Sequence, residues 1–545
     1  VTSKGGKVRK RVFEFTDFNE FYQFYKPLTP YGQTHKAHME VFHDEDIISR
    51  MLDLSDEALV FIQIDNTIAD RVEYHLKNIP RLPGQSDSSD MADLFLYKRF
   101  LINFRAICRL ISPDLAELMN LRFNSPDLLA ELCRGGSDET FHLADCYSPE
   151  LGEVRSEIRL IESKLKNLRE DRINQIIVAT GHDFTFNDFL VVQEGPELTM
   201  NSSLIYMEPH DRSHLIIKPV LGDEYYAIMM QREALARKES DAESEVLESL
   251  SAMIRNEEAA LSNYVKAVET LDIHLARART ALEFDMTRPL IAPRGSNISV
   301  EQGRFIPQIL KCSAMKTSYQ PLTVSFANPI IVIHGSNMGG KTVLLKTIGF
   351  LQLLTQMGFH VPADEYRAPL FRNIHHIGET GQDYLQGLSS FGLEIFNFMN
   401  TWNSGENSDS RLYLIDEFAR TTGSREATAL IQAILSRFSE IGGIHCFMST
   451  HFMELNPIES TSFYKMKGLN HTSFQEYFEK TFHGNSNDKL DDMSERIRTI
   501  NRFMEFEVLP DTDRSVTSDA LKIAAILGLD AETLNHAWKH LEKSS

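Results

Sequence analysis

Gly335-Ser336-Asn337-Met338-Gly339-Gly340-Lys341-Thr342 follows the pattern GxxxxGK[ST]. Gly335, Gly339 and Gly340 let the backbone curl so that successive N–H groups, including that of Asn337, face phosphate oxygens. Lys341 neutralises the outer phosphates, and the Thr342 hydroxyl is a ligand for Mg²⁺. About 75 residues later, Leu412-Tyr413-Leu414-Ile415-Asp416-Glu417 ends four buried-type residues in two carboxylates. That places the pair at the carboxyl end of a parallel strand, where α/β sheets bind ligands. Asp416 is read as a metal ligand and Glu417 as the residue that orients or deprotonates a water attacking a γ-phosphate. The chemistry is ATP hydrolysis, with ATP and Mg²⁺ bound.

Two further pieces narrow the class. Gly387-Leu388-Ser389-Ser390-Phe391 opens a helix whose free N–H groups and positive dipole end suit a γ-phosphate, although a serine N-cap alone explains Ser389 equally well. Thr450-His451 follows an apolar strand and puts an imidazole where it can sense the same phosphate; a lone histidine is more often a satisfied core residue. The order of loop, serine-rich helix start, Asp-Glu strand and strand-Thr-His argues for the four acting together.

The elements that must position these residues occupy the second half of the chain. Pro329 to His334 reads as a buried strand running into the glycine loop and a helix; Leu412 to Ile415 and Ile444 to Ser449 read as further strands. Upstream, Val154, Ile158, Ile161, Leu165 and Leu168 form a heptad seam, one arm of a coiled coil. Leu247 to Leu282 keep nearly the same period inside a proline-free run from Met229 to Asp285, read as one helix. Its 57 or so residues would reach about 85 Å, a lever and not a local packing element. Between the arms, residues 171–226 read as short strands with Gly, Pro and Asn turns.

The fold class is thus α + α/β multidomain, a helical core with long coiled-coil lever arms followed by a P-loop α/β ATPase domain. The domains are 1–150 (helical core), 151–290 (arms with a β-containing tip at 171–226), 291–465 (ATPase) and 466–545 (helical). Lys4, Lys7, Arg9, Lys10 and Arg11 read as a solvated tail.

Composition sets limits. With 42% hydrophobic and 24% charged residues, the 545-residue chain is an ordinary globular sequence, and no apolar run approaches a membrane span. Five scattered cysteines without a CxxC pair exclude a zinc module and a disulfide framework. No secretory signal is recognised, so the expected compartment is the cytoplasm. Fifty-six basic against 77 acidic residues leave a net charge of −21, a field that repels phosphate backbones unless cations are concentrated on one surface.

GSNMGGKT, the block Ile377 to Glu394, LYLIDE with Ala419-Arg420-Thr421-Thr422, and FMSTHFMEL resemble the ATPase domain of the MutS mismatch-repair proteins, an ABC-type ATPase. The resemblance is specific over about 200 residues and extends to Leu271-Asp272, Arg288-Pro289 and Glu301 to Pro307. At the tail, Ser518 to Leu529 looks like the family's dimerisation segment; the lever match is one of architecture only. The resemblance implies a homodimer in which each nucleotide lies between the P-loop of one subunit and the signature helix of the other, so that Ser389 acts across the interface. Ser336 stands where the family has proline, and Ala419 and Thr421 where it has glycines, which bears on communication between the two sites. By position Tyr319 is a candidate for stacking on adenine, with an ordinary core aromatic an equal alternative.

MutS mismatch readers carry two α/β domains ahead of the lever, the first with a Phe-x-Glu wedge. About 290 residues precede the ATPase region here, and Phe18-Asn19-Glu20 is one of several Phe-x-Glu matches, Phe474-Gln475-Glu476 and Phe503-Met504-Glu505 among them, so that match carries no weight. The 171–226 unit, which in the family clamps the DNA backbone, holds three Arg or Lys residues against nine acidic ones. Two readings follow. One is a MutS-type DNA-transaction ATPase without its own mismatch-reading domain. The other is an ATP-dependent remodeller or reactivase of a protein partner, such as a cobalamin-dependent aminomutase, with no DNA substrate.

Overall fold

The computed structural model describes residues 10–38, 40–84, 90–136, 140–193, 203–335, 339–378, 389–403, 410–452, 454–470, 472–474, 493–512 and 520–544. The chain forms two compact units. One gathers residues 1–73, 112–120 and 268–545, the other residues 74–111 and 121–267. Among the described residues no helix is long and apolar enough to cross a membrane. The basic residues at 4–9 lie outside the described range.

The second unit is built on paired long helices. Helix α1, Pro149–Thr180, starts where the Ser148 hydroxyl accepts the Leu151 N–H and Pro149 supplies a preset φ. It stops at Gly181, whose left-handed φ of 74° lets its N–H bond back to Ile177 O. Strands β1 (Leu190–Gln193), β2 (Ile205–Pro209) and β3 (His214–Pro219) form an antiparallel sheet in the order β1-β3-β2. Helix α2, Asp223–Asn256, then runs back along α1. Val154 and Ile158 pack on Leu235, and Arg155 bridges to Glu239 at 2.7 Å and Glu243 at 2.6 Å, while Arg232 reaches Glu162 at 3.1 Å.

The lever is not the single helix that its period leads one to expect. At Glu257 (φ −94°, ψ 6°) the backbone turns, and a separate helix α3 runs Glu258–Glu283. Glu257 Oε2 accepts the Ser125 hydroxyl at 2.8 Å, a tertiary contact at the break. With 34 and 26 residues, the two helices are about 51 and 39 Å long.

In the first unit the central sheet has six strands: β4 (Ile330–His334), β5 (Asn373–Ile377), β6 (Arg411–Asp416), β7 (Ile444–Ser449), β8 (Thr461–Leu469) and β9 (Met504–Pro510), in the order β9-β8-β4-β7-β6-β5. All neighbouring pairs are parallel except β8 with β9. The buried β4 reads Ile-Ile-Val-Ile-His, the continuous apolar run of a strand covered on both faces. Helix α4, Lys341–Gln356, crosses one face, and its core is shared with Phe13, Phe18, Phe21 and Tyr25 from the chain's beginning. Helix α5, Ser390–Asn403, packs with the opposite face through Phe391, Ile395 and Phe398. A second sheet pairs residues 290–291, 365–368, 299–303 and 322–325.

The segment from 466 onward, read as helical, corrects to a mixed one. Met504–Pro510 closes the sheet as antiparallel β9 before the helices Ala520–Leu527 and Ala531–Ser544. Met504 and Val508 are buried and Glu507 is exposed, so the strand is only partly apolar and its pairing is set by β8, not by local pattern.

Candidate nucleotide site

The parallel strands β4, β6 and β7 end side by side. Asp416 pairs in register with Ser449, and Ile333 is opposite Ser449 on the other side of β7. Parallel order alone therefore brings the glycine loop after β4, the Asp416-Glu417 pair and the Thr450-His451 turn to one edge. Gly335 (φ 147°) and Gly340 (φ 92°) hold the loop's ends; a Cβ on Gly340 would stand 2.9 Å from the Phe506 ring. Asn337, with Ser336 and Met338, lies outside the described residues, whereas Gly339 leads directly into Gly340 and α4.

Lys341 is 3% exposed and donates to Gly335 O at 2.6 Å, with Glu417 Oε1 3.7 Å from its ammonium. Burial lowers its pKa, partly opposed by the Glu417 and Asp416 carboxylates. Thr342 Oγ1 donates to Asp416 Oδ1 at 3.2 Å, and the same carboxylate oxygen accepts Ser449 Oγ at 2.6 Å. Ser449 Oγ also accepts the Glu417 N–H at 3.0 Å. Thr342, Asp416, Ser449 and Glu417 thus form one hydrogen-bonded chain beside the buried ammonium. Ser449 escaped the sequence reading, though its place as the last residue of an apolar strand, just before Thr450-His451, was a usable signal.

Glu417 stands in the left-handed region (φ 50°), with Arg420 Nη1 3.7 Å from its carboxylate. Ala419 is also left-handed (φ 62°), and its N–H is accepted by Glu394 Oε2 of α5 at 2.8 Å. Glu394 ties the helix opened by Ser389 to the loop that carries Glu417, a link made by no sequence spacing. Ser389 is exposed and caps α5, accepting the Gly392 N–H at 3.2 Å. The Gly387-Leu388 lead-in and residues 379–386 are outside the described residues. His451 is exposed, with its ring 4.1 Å from that of Phe452; among the described residues it makes no hydrogen bond to Asp416 or Glu417.

Beside Gly340 opens a cleft of about 110 Å³ lined by Tyr319, Gln320, Val343, Met466 and Phe506, among others. Tyr319 is half-buried and its hydroxyl accepts the Phe305 N–H at 2.8 Å; burial raises its pKa. Met466 and Phe506 come from β8 and β9, the pair the sequence did not disclose.

The donor set suits Mg²⁺. Thr342 and Asp416 offer adjacent hard oxygen donors, and among the described residues there is no cluster of three or more His, Cys, Asp or Glu that would make an all-protein cage. Mg²⁺ ordinarily takes one or two protein oxygens and completes its shell with water and phosphate.

Parallel α/β topology, a glycine-rich sequence after strand β4 and an Asp-Glu pair on the next strand but one define an α/β domain with its candidate site at one edge of the sheet. Residues 331–539 match MutS domain V, so this stretch of the chain belongs with the MutS family. It is 30% identical to Endonuclease MutS2 of Halothermothrix orenii over 331 residues, covering 58% of this chain and 39% of the relative. It is 26% identical to that of Symbiobacterium thermophilum (63% and 42%) and 28% identical to that of Carboxydothermus hydrogenoformans (65% and 44%). The chain spans about two fifths of the length of these curated relatives.

Proposed function

We propose that the chain is an ATP-hydrolysing ABC-type ATPase of the MutS family whose site is completed between two copies, and that nucleotide-driven closure moves the long helices in a DNA-structure transaction. The observation that carries the reading is the chain Thr342–Asp416–Ser449–Glu417 beside Lys341. Lys341 neutralises the outer phosphates. Glu417 accepts hydrogen bonds from the attacking water and takes its proton, and Arg420 and Lys341 flank it on either side. Mg²⁺, when bound, neutralises phosphate oxygens, and Thr342 and Asp416 would hold it. Tyr319 with Phe506 would flank the base in the cleft beside Gly340, and His451 would reach the γ-phosphate. Ser389, exposed on its own chain, would supply α5's dipole end to the partner's nucleotide.

The endonuclease activity in the relatives' name is not carried over, since two fifths of those chains is matched. A DNA transaction rests on family membership. A mobility shift with duplex and branched DNA tests it: a clamp with several phosphate contacts loses orders of magnitude in affinity between about 50 and 200 mM salt.

The composite site is tested by mixing Lys341→Ala and Ser389→Arg chains. Each alone is inactive, and random exchange leaves about a quarter of the sites whole, restoring a comparable fraction of ATPase activity. No recovery on mixing, or full activity of Ser389→Arg alone, overturns the shared site.

A further inference from the structure

We propose that the outer face of the three-stranded sheet at the end of α1 and α2 is a docking surface for a protein whose contacting surface is apolar and basic. Strand register defines the face. Leu190, Val192, Ile205, Met207, Leu215 and Ile217 alternate inward onto Ile173, Ile176 and Phe184. The opposite alternation presents Val191, Ile216 and Glu208 in one cross-strand row and Tyr206 with Lys218 in the next. Val191 is 47% exposed and Tyr206 55%; Phe189, out of phase with inward Leu190, is 53% exposed. Phe186, in the segment leading into β1, is 92% exposed. A surface strand gains nothing from such residues in water, and a cluster of them on one small unit is the mark of a contact surface.

All but one of the described cations on this unit are already engaged. Lys218 Nζ lies 3.0 Å from Glu208 Oε1, and Arg169 lies 3.2 Å from Asp188. Arg172 donates from Nε to Val220 O at 2.9 Å, and His214 faces Asp211 at 3.0 Å. Among the described residues of the tip, Arg212, in the β2–β3 turn, is the one Arg or Lys without such a partner. Across residues 171–226 nine carboxylates stand against three Arg or Lys residues. A phosphate backbone requires free cations in the opposite ratio. A second copy of the same acidic tip is disfavoured by like charge. An apolar face on a unit whose sequence carries excess negative charge is complementary to an apolar, basic protein surface.

This inference rests on the tip alone and is independent of the nucleotide site, so its test uses the full chain without nucleotide. Binding of a labelled amphipathic Leu/Lys helical peptide is followed by fluorescence anisotropy at physiological salt. A Leu/Glu counterpart, oligolysine and duplex DNA serve as the other arms. The Leu/Lys peptide should bind, and Val191→Thr combined with Tyr206→Thr should weaken it at least about tenfold, the loss of an interface anchor. Both replacements are β-branched and outward-facing, so the unfolding midpoint should not move; Phe186→Ser, outside the strands, gives the same readout if it does. The Leu/Glu peptide and oligolysine should bind more weakly than the Leu/Lys peptide by a similar factor. Leu/Lys binding unchanged in all variants, oligolysine binding as well as Leu/Lys, or duplex DNA binding that these substitutions abolish would each overturn the proposal.

Discussion

One hydroxyl holds both acidic residues at the end of β6: Ser449 Oγ donates to Asp416 Oδ1 at 2.6 Å and accepts the Glu417 N–H at 3.0 Å. Ser449 is itself 0% exposed, so removing its hydroxyl leaves Asp416 Oδ1 with Thr342 as its donor and the Glu417 N–H with its longer bond to Ser449 O at 3.3 Å, each one partner fewer where water has little access. Ser449→Ala should cost about 1–3 kcal/mol in denaturant unfolding. It should also lower kcat for ATP more than it raises KM, because Glu417 loses the shorter of the two bonds that set its backbone. Unaltered kcat in a destabilised Ser449→Ala chain would confine Ser449 to a structural part.

Glu417 and Lys341 face each other at 3.7 Å, yet their replacements should fail in different ways. Glu417→Gln keeps the size and a hydrogen-bonding oxygen but cannot take a proton; ATP should stay bound while hydrolysis slows by about 10²–10⁴. Lys341→Ala removes the charge that meets the phosphates, so the defect should be in nucleotide affinity. Equilibrium binding with single-turnover hydrolysis separates the two, and Glu417→Gln turning over at the unmodified rate would remove Glu417 from its assigned role.

What the sequence made legible follows from locality. The loop Gly335–Thr342 and the Leu412–Glu417 strand carry their chemistry within a few consecutive residues, and β4, β6 and β7 have mostly apolar interiors because both faces are covered. Glu394 with Ala419, and Phe506 with Gly340, depend on contacts 25 and 166 positions apart, to which no local period points. The turn at Glu257 was hidden for the same reason: heptad spacing continues through it, while the hydroxyl that meets its carboxylate belongs to Ser125. β9 was missed because an edge strand with Glu505 and Glu507 on it lacks the apolar run of its neighbours.

His376, near the end of β5, sets a pH limit. It stacks on Phe15 with ring centroids 3.8 Å apart and planes 13° from parallel. Burial first, then the Lys346 and Arg11 charges, depress its pKa to about 3. The unfolded chain takes up this proton near the ordinary histidine value of about 6.5, whereas the folded chain refuses it until about 3. Stability from this group is therefore complete above pH 6.5 or so and falls by at most about 1.4 kcal/mol per pH unit on acidification towards 3. His376→Phe retains a ring against Phe15 and has no proton to bind. Its urea midpoint should decline less steeply than that of the unmodified chain between about pH 6.5 and 4; parallel slopes would show that His376 is not a group that resists protonation.

Ala419 and Thr421 stand where the family's loop has glycines, and the two departures differ physically. Ala419 has φ 62°, a conformation that costs an L-residue about 1–2 kcal/mol, whereas Thr421 is absent from the left-handed region. Glycine at 419 would relieve that strain but give up about 0.5–1 kcal/mol of unfolded-state entropy and about 0.8 kcal/mol for a methyl that is 0% exposed, so Ala419→Gly should be close to neutral. Thr421→Gly has only the entropic penalty and should destabilise by about 0.5–1 kcal/mol. The N–H that Glu394 accepts belongs to the backbone and survives in the glycine variant, so the anchor to α5 is unchanged in this comparison. Urea unfolding of the two single variants reads the difference directly. If Ala419→Gly loses as much stability as Thr421→Gly, residue 419 is not under left-handed strain, and the bond from Ala419 to Glu394 no longer accounts for how this loop is held.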